Sequence, residues 1–138
     1  MTMTAQAAFS VTSWDENTWD GQPAKEVKGA RLTRAAVTYS YSGGIKGISR
    51  LQYLMSYNAD GLTGSYVALE LVSGSLDGRA GSFTLLHTGT FDEQRVGGTV
   101  TVVPGSGTGA LTGLRGAGTI SISGHQESYP LHFEYEFA

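Results

Sequence analysis

Two ionisable side chains that lie within apolar segments are the strongest candidates for chemistry in this sequence. Glu70 sits in the apolar run of residues 66–72, and His87 directly follows Leu85 and Leu86. A carboxylate that faces an apolar interior has a raised pKa and exchanges protons near neutral pH. Side by side in such an interior, Glu70 and His87 could serve as general acid and base or orient a polar ligand. The alternative is a polar pair that satisfies its own hydrogen bonds and fixes the register of two strands.

Further side chains are predicted to contact a ligand in the same interior. Arg34 could hold a carboxylate or reach water at the rim. The hydroxyls of Tyr53 and Tyr66 could orient a ligand, or the two residues could be ordinary wall residues with a polar tip. The apolar candidates for the ligand-binding wall are Leu51, Phe83, Leu85, Phe91 and Val100.

The elements that must position these residues are β-strands, because polar and apolar residues alternate with a period of two. Eight strands are predicted, over residues 4–14, 31–41, 45–57, 62–72, 82–91, 95–103, 117–123 and 127–137. Turn residues separate many of them, as at Ser42-Gly43-Gly44, Asn58-Ala59-Asp60-Gly61, Asp77-Gly78 and Asp92-Glu93-Gln94. Long strands with short connections indicate an all-β fold, an eight-stranded antiparallel up-and-down β-barrel, in preference to a sandwich.

The turn types predict which side chains share the interior face. A type I′ turn at Asp77-Gly78 makes Glu70 and His87 diagonal neighbours on that face. The two preceding hairpins are assigned by pairing Tyr57 with Leu62 and Ser42 with Ile45. The interior face then also holds Arg34, Ala36, Thr38, Ser49, Leu51, Tyr53, Tyr66, Phe83, Phe91, Val96 and Val100. The outer face holds an apolar set of Tyr39, Tyr41, Ile48, Leu54, Val67, Leu69 and Leu71. A slip of one residue at any hairpin inverts the strands beyond it.

Two segments interrupt the alternation. Residues 15–29 are the charge-dense stretch of the chain and are predicted to form a long loop. Trp14 and Trp19 flank this loop and could cover a mouth of the barrel or simply pack. Residues 104–118 are rich in glycine, with one short helical turn predicted over residues 110–114. Leu111 and Leu114 are expected to close one end, so that the interior opens at one end only.

Length and composition exclude several classes of function. The chain is predicted to be a single domain, residues 1–138, and the lack of cysteine excludes disulfides, thiol catalysis and zinc–thiolate sites. Nine Lys and Arg residues and a net charge of −3 argue against nucleic acid as a partner. No apolar stretch is long enough to span a membrane, and the first residues lack the features of a signal peptide. These features predict a soluble, cytoplasmic protein.

No cofactor or metal is predicted. The glycine-rich residues 105–118 lack the Gly-Lys-Ser/Thr ending of a phosphate-binding loop, and no β–α–β unit surrounds them. His87, His125 and His132 do not have the close spacing that supplies two metal ligands from one strand. A Ser-His-Asp arrangement with a nucleophile-elbow motif does not occur either.

Several motifs resemble those of a known protein family. They are LELVSGSLDGRAGSF at residues 69–83, HTGTF at 87–91 and VPGSGTG at 103–109, together with Leu114-Arg115-Gly116, Ser13-Trp14-Asp15 and Tyr53-Leu54-Met55. Over nearly its whole length the chain resembles a bacterial family of small uncharacterised proteins, common in actinobacteria, that looks like the allene oxide cyclase barrel. This resemblance implies a lipocalin-like barrel whose apolar lumen steers a reactive small molecule without a cofactor. The catalytic residues of the plant enzyme match no positions in this chain.

The residues and the resemblance together predict a cofactor-independent cyclase or isomerase that acts on a small, largely apolar metabolite, as in natural-product biosynthesis. Glu70 and His87 would move the proton, and the lumen would supply shape and desolvation. Two alternatives stay open: a lipocalin-like carrier of a small apolar or amphipathic molecule, and a barrel whose interior is filled. The apolar outer face also predicts a homo-oligomer, a dimer or a trimer.

Overall fold

The computed structural model describes all 138 residues and contains eight β-strands. They are β1 (Met3–Thr18), β2 (Arg31–Gly43), β3 (Ile45–Tyr57), β4 (Gly64–Leu76), β5 (Arg79–Phe91), β6 (Arg95–Val102), β7 (Leu114–Ser123) and β8 (Tyr129–Phe137). Each strand pairs antiparallel with the next, and β8 returns to pair with β1, so the sheet is closed. The predicted eight-stranded antiparallel up-and-down β-barrel is confirmed. Two 3₁₀ turns, Ala24–Glu26 and Gly109–Leu111, complete the structure, which contains no helix with the length and apolar character needed to traverse a membrane.

The β4–β5 hairpin has the predicted register. Asp77 and Gly78 have positive φ angles of 46° and 85°, as a type I′ turn requires. The ladder between the two strands continues from this turn without a slip. Glu70 therefore lies opposite Leu85, and His87 faces the same interior.

The β3–β4 hairpin is two residues out of the predicted register, yet it keeps the predicted faces. Tyr57 lies opposite Gly64 instead of Leu62. The turn is longer because the Asp60 carboxylate accepts hydrogen bonds from the backbone N–H groups of Thr63 and Leu62. These hydrogen bonds also lower the pKa of the Asp60 carboxyl. Since side chains alternate with a period of two, a shift of two residues leaves the interior side chains of β3 as predicted.

The predicted facing of β2 is wrong, because the β2–β3 connection is one residue shorter than expected. Tyr41 lies opposite Gly47 and not opposite Lys46. A slip of one residue turns a strand over. The interior residues of β2 are consequently Thr33, Ala35, Val37, Tyr39 and Tyr41. Arg34, Ala36 and Thr38 point away from the interior, so the prediction that Arg34 contacts a ligand inside the barrel is also wrong.

Hydrogen bonds to neighbouring elements explain this short connection. Gly44 alone separates β2 from β3. Its N–H donates to the carbonyl of Gln6 in β1, and its carbonyl accepts from the N–H of Asp77 in the β4–β5 turn. Gly43, with a φ of 86°, approaches Gln6 so closely that a Cβ would lie 2.8 Å from that carbonyl oxygen. The connection is therefore held by elements distant in sequence, which a local turn rule does not consider.

Strand β1 is longer than predicted and continues to Thr18. Its register against β2 shifts between Val11 and Ser13, as at a β-bulge. After this irregularity, Glu16 is half-buried and Thr18 is buried, while Asp15 is exposed. Part of the predicted loop of residues 15–29 is thus strand, and it carries Glu16 to the rim of the barrel.

Leu111 and Leu114 close one end of the barrel, as predicted. Their exposed fractions are 0% and 2%. The segment that carries them is held against β5, because the hydroxyls of Thr108 and Ser82 lie 2.7 Å apart. The helical turn is Gly109–Leu111, and β7 already begins at Leu114, so the turn is shorter and earlier than predicted.

The outer face of β3 and β4 carries exposed apolar side chains, as predicted. Exposed fractions between 40% and 65% are found for Ile48, Leu54, Val67, Leu69 and Leu71. Tyr39 and Tyr41 were predicted to belong to this apolar outer face, but they lie in the interior because β2 is turned over.

Candidate ligand-binding site

Glu70 and His87 are in direct contact in the interior of the barrel. Both are buried, and Nε2 of His87 lies 2.7 Å from Oε1 of Glu70. The other carboxylate oxygen, Oε2, accepts hydrogen bonds of 2.6 Å from the hydroxyls of Tyr41 and Ser49. Three side chains from β2, β3 and β5 therefore satisfy the carboxyl group that β4 places in the core.

The second ring nitrogen of His87, Nδ1, is buried and has no hydrogen-bond partner in the protein. A neutral imidazole carries its proton on one nitrogen and accepts at the other. With the proton on Nε2, His87 donates to Glu70 and leaves only an acceptor unpaired. This tautomer fits the geometry, because the other would bury an unpaired N–H group and set two acceptors against each other.

An apolar cavity of about 360 Å³ lies on the open side of this pair. Its wall is largely aromatic, with side chains from Phe9, Trp14, Tyr39, Tyr53, Tyr57, Tyr66, Phe91 and Tyr129. The volume is within the range of roughly 300–1,000 Å³ that is usual for ligand pockets. The interior is therefore hollow towards the open end, which contradicts the alternative of a filled barrel.

Tyr39 and Tyr53 form the floor of the cavity. Their hydroxyls lie 2.5 Å apart, and the ring of Tyr39 stacks on Phe9 with a centroid distance of 4.4 Å. Burial raises the pKa of both phenols well above the ordinary value for tyrosine, which keeps them neutral at physiological pH. The Tyr53 ring is 6.1 Å from the ring of His87, so the floor separates the cavity from the Glu70–His87 pair.

Tyr66 supplies a further hydroxyl to the cavity wall. This hydroxyl lies over Gly89 and Gly98, where a Cβ on either glycine would be only 2.5 Å from it. Burial is the only influence that raises the pKa of Tyr66, because the phenol makes no hydrogen bond to a protein group. The hydroxyl is therefore available to a ligand.

Glu16 lies at the mouth of the cavity and is held by three donors. Oε2 accepts hydrogen bonds from the hydroxyls of Tyr57, at 2.6 Å, and Thr33, at 2.7 Å. Oε1 accepts one from the indole N–H of Trp14, at 3.0 Å. These contacts fix the position of a half-buried carboxylate beside the aromatic wall.

The charged residues that line the cavity are both acidic. They are Glu16 and Asp92, and no Lys, Arg or His side chain lines the wall. No group of three or more His, Asp or Glu side chains in the protein is arranged to hold a metal ion. The cavity thus offers a ligand aromatic rings, neutral hydroxyls and negative charge.

The structure divides the predicted site residues into three groups. Tyr53, Tyr66 and Phe91 line the cavity, and their role in ligand binding stays a prediction. Buried in the interior without lining the cavity are Glu70, His87, Leu51, Phe83, Leu85 and Val100. Arg34 is on the outer face. A catalytic role for Glu70 and His87 stays a prediction.

Sequence reasoning missed Glu16 and Tyr39 as site residues. The predicted register of β2 differs by one residue from the observed one and therefore puts Tyr39 on the outer face. Glu16 falls within the predicted loop because its neighbours Asp15 and Asn17 are polar, and no alternation of polar and apolar residues is visible there. The hydroxyl and indole groups that hold Glu16 come from three strands, so no local signal marks it.

Comparisons with known proteins agree with the fold and name no activity. A family model described as a protein of unknown function (DUF3224) matches residues 5–135. The chain is also similar to the crystal structure of a protein with unknown function from the DUF3224 family of Shewanella oneidensis MR-1. The similarity covers 100% of this chain and 99% of that chain, with 31% sequence identity and a TM-score of 0.78. No curated protein matches the chain.

Proposed function

Because the chain belongs to the DUF3224 family of proteins of unknown function, we propose its function from the geometry of the barrel: it binds a small, largely apolar molecule in the cavity at the open end. The observation that carries this proposal is the aromatic cavity of about 360 Å³. Leu111 and Leu114 seal the opposite end, so a ligand enters and leaves through one mouth. A molecule bound there would contact the aromatic wall and lose part of its exposed surface.

The wall chemistry supports an apolar ligand with a small polar group. Burial of apolar surface contributes about 25 cal/mol per Å², and aromatic walls supply such surface with little loss of side-chain entropy. The hydroxyls of Tyr53 and Tyr66 are the polar groups that could orient the ligand. The ring centroids of Tyr53 and Tyr66 lie 5.6 Å apart, and the centroid of Tyr53 lies 5.4 Å from that of Trp14. A wall that is already in place costs little to organise on binding.

A second candidate function is a cofactor-independent cyclase or isomerase. One observation favours it: the floor residue Tyr53 lies between the cavity and the buried pair of Glu70 and His87. The resemblance of the sequence motifs to a bacterial family that looks like the allene oxide cyclase barrel also favours it. In this case the phenol groups would meet the substrate, and Glu70 and His87 would position them from behind. The cavity wall would restrict the conformers of the substrate and reduce its contact with water.

A fluorescence titration with N-phenyl-1-naphthylamine, an uncharged probe, tests the binding proposal. The wild-type protein should enhance the probe's fluorescence in a saturable way. Val96 lines the cavity, so the larger side chain of Val96→Trp should occupy space that the probe needs and weaken binding by at least about tenfold, or about 1.4 kcal/mol. Leu86 is 40% exposed and lines none of the cavity, so Leu86→Trp is a matched control that should bind like the wild type.

Two results would overturn the proposal. One is the absence of saturable binding to the wild-type protein. The other is unchanged affinity in Val96→Trp, which would place the probe elsewhere. Mass spectrometry of molecules that co-purify with the protein, before and after incubation, then separates the two candidates, because an enzyme changes its ligand chemically and a carrier returns it intact.

A further inference from the structure

We infer that the cavity selects apolar ligands that carry a positively charged amine and disfavours those that carry a carboxylate. This inference rests on the proposed binding function and names the chemical class of the ligand. It follows from three features of the cavity: the sign of its charged groups, the free acceptor capacity of Glu16, and the aromatic rings around the mouth.

The charges at the cavity have one sign. Glu16 and Asp92 line it, and no cationic side chain does. Arg31 stacks on the ring of Tyr57, 3.7 Å from its centroid, but it is not part of the cavity wall. A ligand carboxylate in the cavity would lose hydration without gaining a positive partner, and burying an unpaired charge is costly. A ligand ammonium group would meet opposite charge instead.

Glu16 has room for one more hydrogen bond. A carboxylate offers about four acceptor positions, two on each oxygen. Tyr57 and Thr33 occupy Oε2, whereas Trp14 alone contacts Oε1. One position on Oε1 therefore stays free for a donor from the ligand. Since three strands already hold the carboxylate in place, its orientation requires no further loss of entropy on binding.

Aromatic rings line the same cavity as Glu16. Trp14 donates to Glu16 through its indole N–H, and its ring lies 5.4 Å from the ring of Tyr53. A cation within about 6 Å of the face of a Trp or Tyr ring is stabilised by the ring quadrupole. Arg31 already occupies one face of the Tyr57 ring, so the rings available to a ligand cation are those that line the cavity. Carboxylate and rings thus favour the same positive charge, and the apolar wall beyond them favours the hydrocarbon part of the ligand.

Three probes with the same naphthalene ring test this inference. They are 2-(1-naphthyl)ethylamine, which is positively charged, 2-(1-naphthyl)ethanol, which is neutral, and 1-naphthylacetate, which is negatively charged. Their dissociation constants are measured by displacement of N-phenyl-1-naphthylamine. The wild-type protein should bind the amine at least about tenfold more tightly than the alcohol, the size of one hydrogen bond to a charged group, and the acetate most weakly.

Glu16→Gln should remove most of this preference for the amine, while the affinity for the alcohol stays close to that of the wild type. Glu136→Gln is the matched control, because Glu136 is exposed near the end of β8 and does not line the cavity. Both variants lose one negative charge, so the control removes the effect of net charge. The readout is the ratio of amine to alcohol affinity within each protein, which a general loss of stability does not change.

The outcomes separate this inference from the proposed function. If the wild-type protein binds neither N-phenyl-1-naphthylamine nor any of the three probes, the proposed function fails. If it binds the uncharged probe but binds the alcohol or the acetate as tightly as the amine, the ligand class is wrong and the binding function stands. An unchanged ratio in Glu16→Gln also overturns the role of Glu16. The ranking in the wild type is decisive even if Glu16→Gln does not fold.

Discussion

Replacing Glu70 with alanine should destabilise the barrel by several kcal/mol. The substitution removes the acceptor for three buried groups, the hydroxyls of Tyr41 and Ser49 and the imidazole of His87. A buried polar group that loses its partner costs about 1–3 kcal/mol, so the three together cost about 3–9 kcal/mol. A typical domain is stable by only about 5–15 kcal/mol. Glu70→Ala is therefore expected to lose a large part of the free energy of unfolding.

Glu70→Gln should cost much less, about 2 kcal/mol or below, because glutamine has nearly the same shape. Its carbonyl oxygen can accept from Tyr41 and Ser49, as Oε2 of Glu70 does. Its amide can donate to Nε2 of His87 once the imidazole proton moves to Nδ1, and the buried Nδ1–H group that then lacks a partner is the main cost of this substitution. The difference between the two variants isolates the hydrogen bonds from the volume of the side chain.

Urea unfolding followed by far-UV circular dichroism measures these values. Glu136→Ala is the control, because this exposed glutamate should change the free energy of unfolding by no more than about 0.5 kcal/mol. A cost below about 1 kcal/mol for Glu70→Ala, or equal costs for the two Glu70 variants, would refute the reasoning. If the protein is an enzyme in which Glu70 and His87 position the phenols of the cavity floor, Glu70→Gln should also lower kcat, with little change in ligand affinity.

Three further predictions concern the buried tyrosines, the apolar outer face and the closed end. Burial raises the pKa of Tyr39, Tyr41 and Tyr53, so these phenols stabilise the folded protein fully below about pH 10. Above that pH the free energy of unfolding should fall by up to about 4 kcal/mol per pH unit for the three together. Urea unfolding between pH 8 and 11 measures this fall, and a flat profile would contradict it. Light scattering should show a dimer or trimer through the apolar outer face, and Leu69→Lys should give a monomer, since Leu69 is 54% exposed there; a monomeric wild type at high micromolar concentration would end this idea. Leu111→Ala should lower the free energy of unfolding by about 2–5 kcal/mol, because Leu111 is fully buried. Binding of the probe at the other end should stay unchanged. Lost probe binding in a folded variant would show that the two ends are coupled.

The register that joins Glu70 to His87 could be predicted because a strong local signal fixes it. Asp77-Gly78 is a sequence with a marked preference for the type I′ turn, and the β4–β5 ladder continues from it without interruption. The alternation of polar and apolar residues then assigns the faces. Leu111 was also identifiable, because an apolar residue in a glycine-rich crossing needs a core to cover it.

The site itself could not be predicted in full, because it depends on contacts between residues distant in sequence. The facing of β2 is decided by hydrogen bonds of Gly44 to Gln6 and Asp77, which no turn rule contains. The same difference in register puts Tyr39, one of the two residues of the cavity floor, on the outer face in the prediction. Glu16 faces the cavity only because β1 has an irregularity near Val11, and polar neighbours mask the strand pattern there.

The volume of the interior could not be predicted from the sequence either. A barrel of eight strands can be filled by side chains or can hold one small ligand. Which of the two occurs depends on how individual side chains fit. For example, Gly89 and Gly98 have no side chain, and the hydroxyl of Tyr66 fills the space above them. The sequence therefore left the filled barrel open as an alternative, and the cavity in the structure decides against it.

The central claim, that the aromatic cavity at the open end is the ligand-binding site, is tested most directly by mapping chemical shifts. A ¹⁵N–¹H spectrum of the wild-type protein is recorded during titration with N-phenyl-1-naphthylamine. We expect saturable shifts at the cavity wall, including Tyr53, Tyr66 and Val96, and none at the closed end around Leu111. Shifts confined to the apolar outer face around Leu69, or no saturable shifts at all, would contradict the claim.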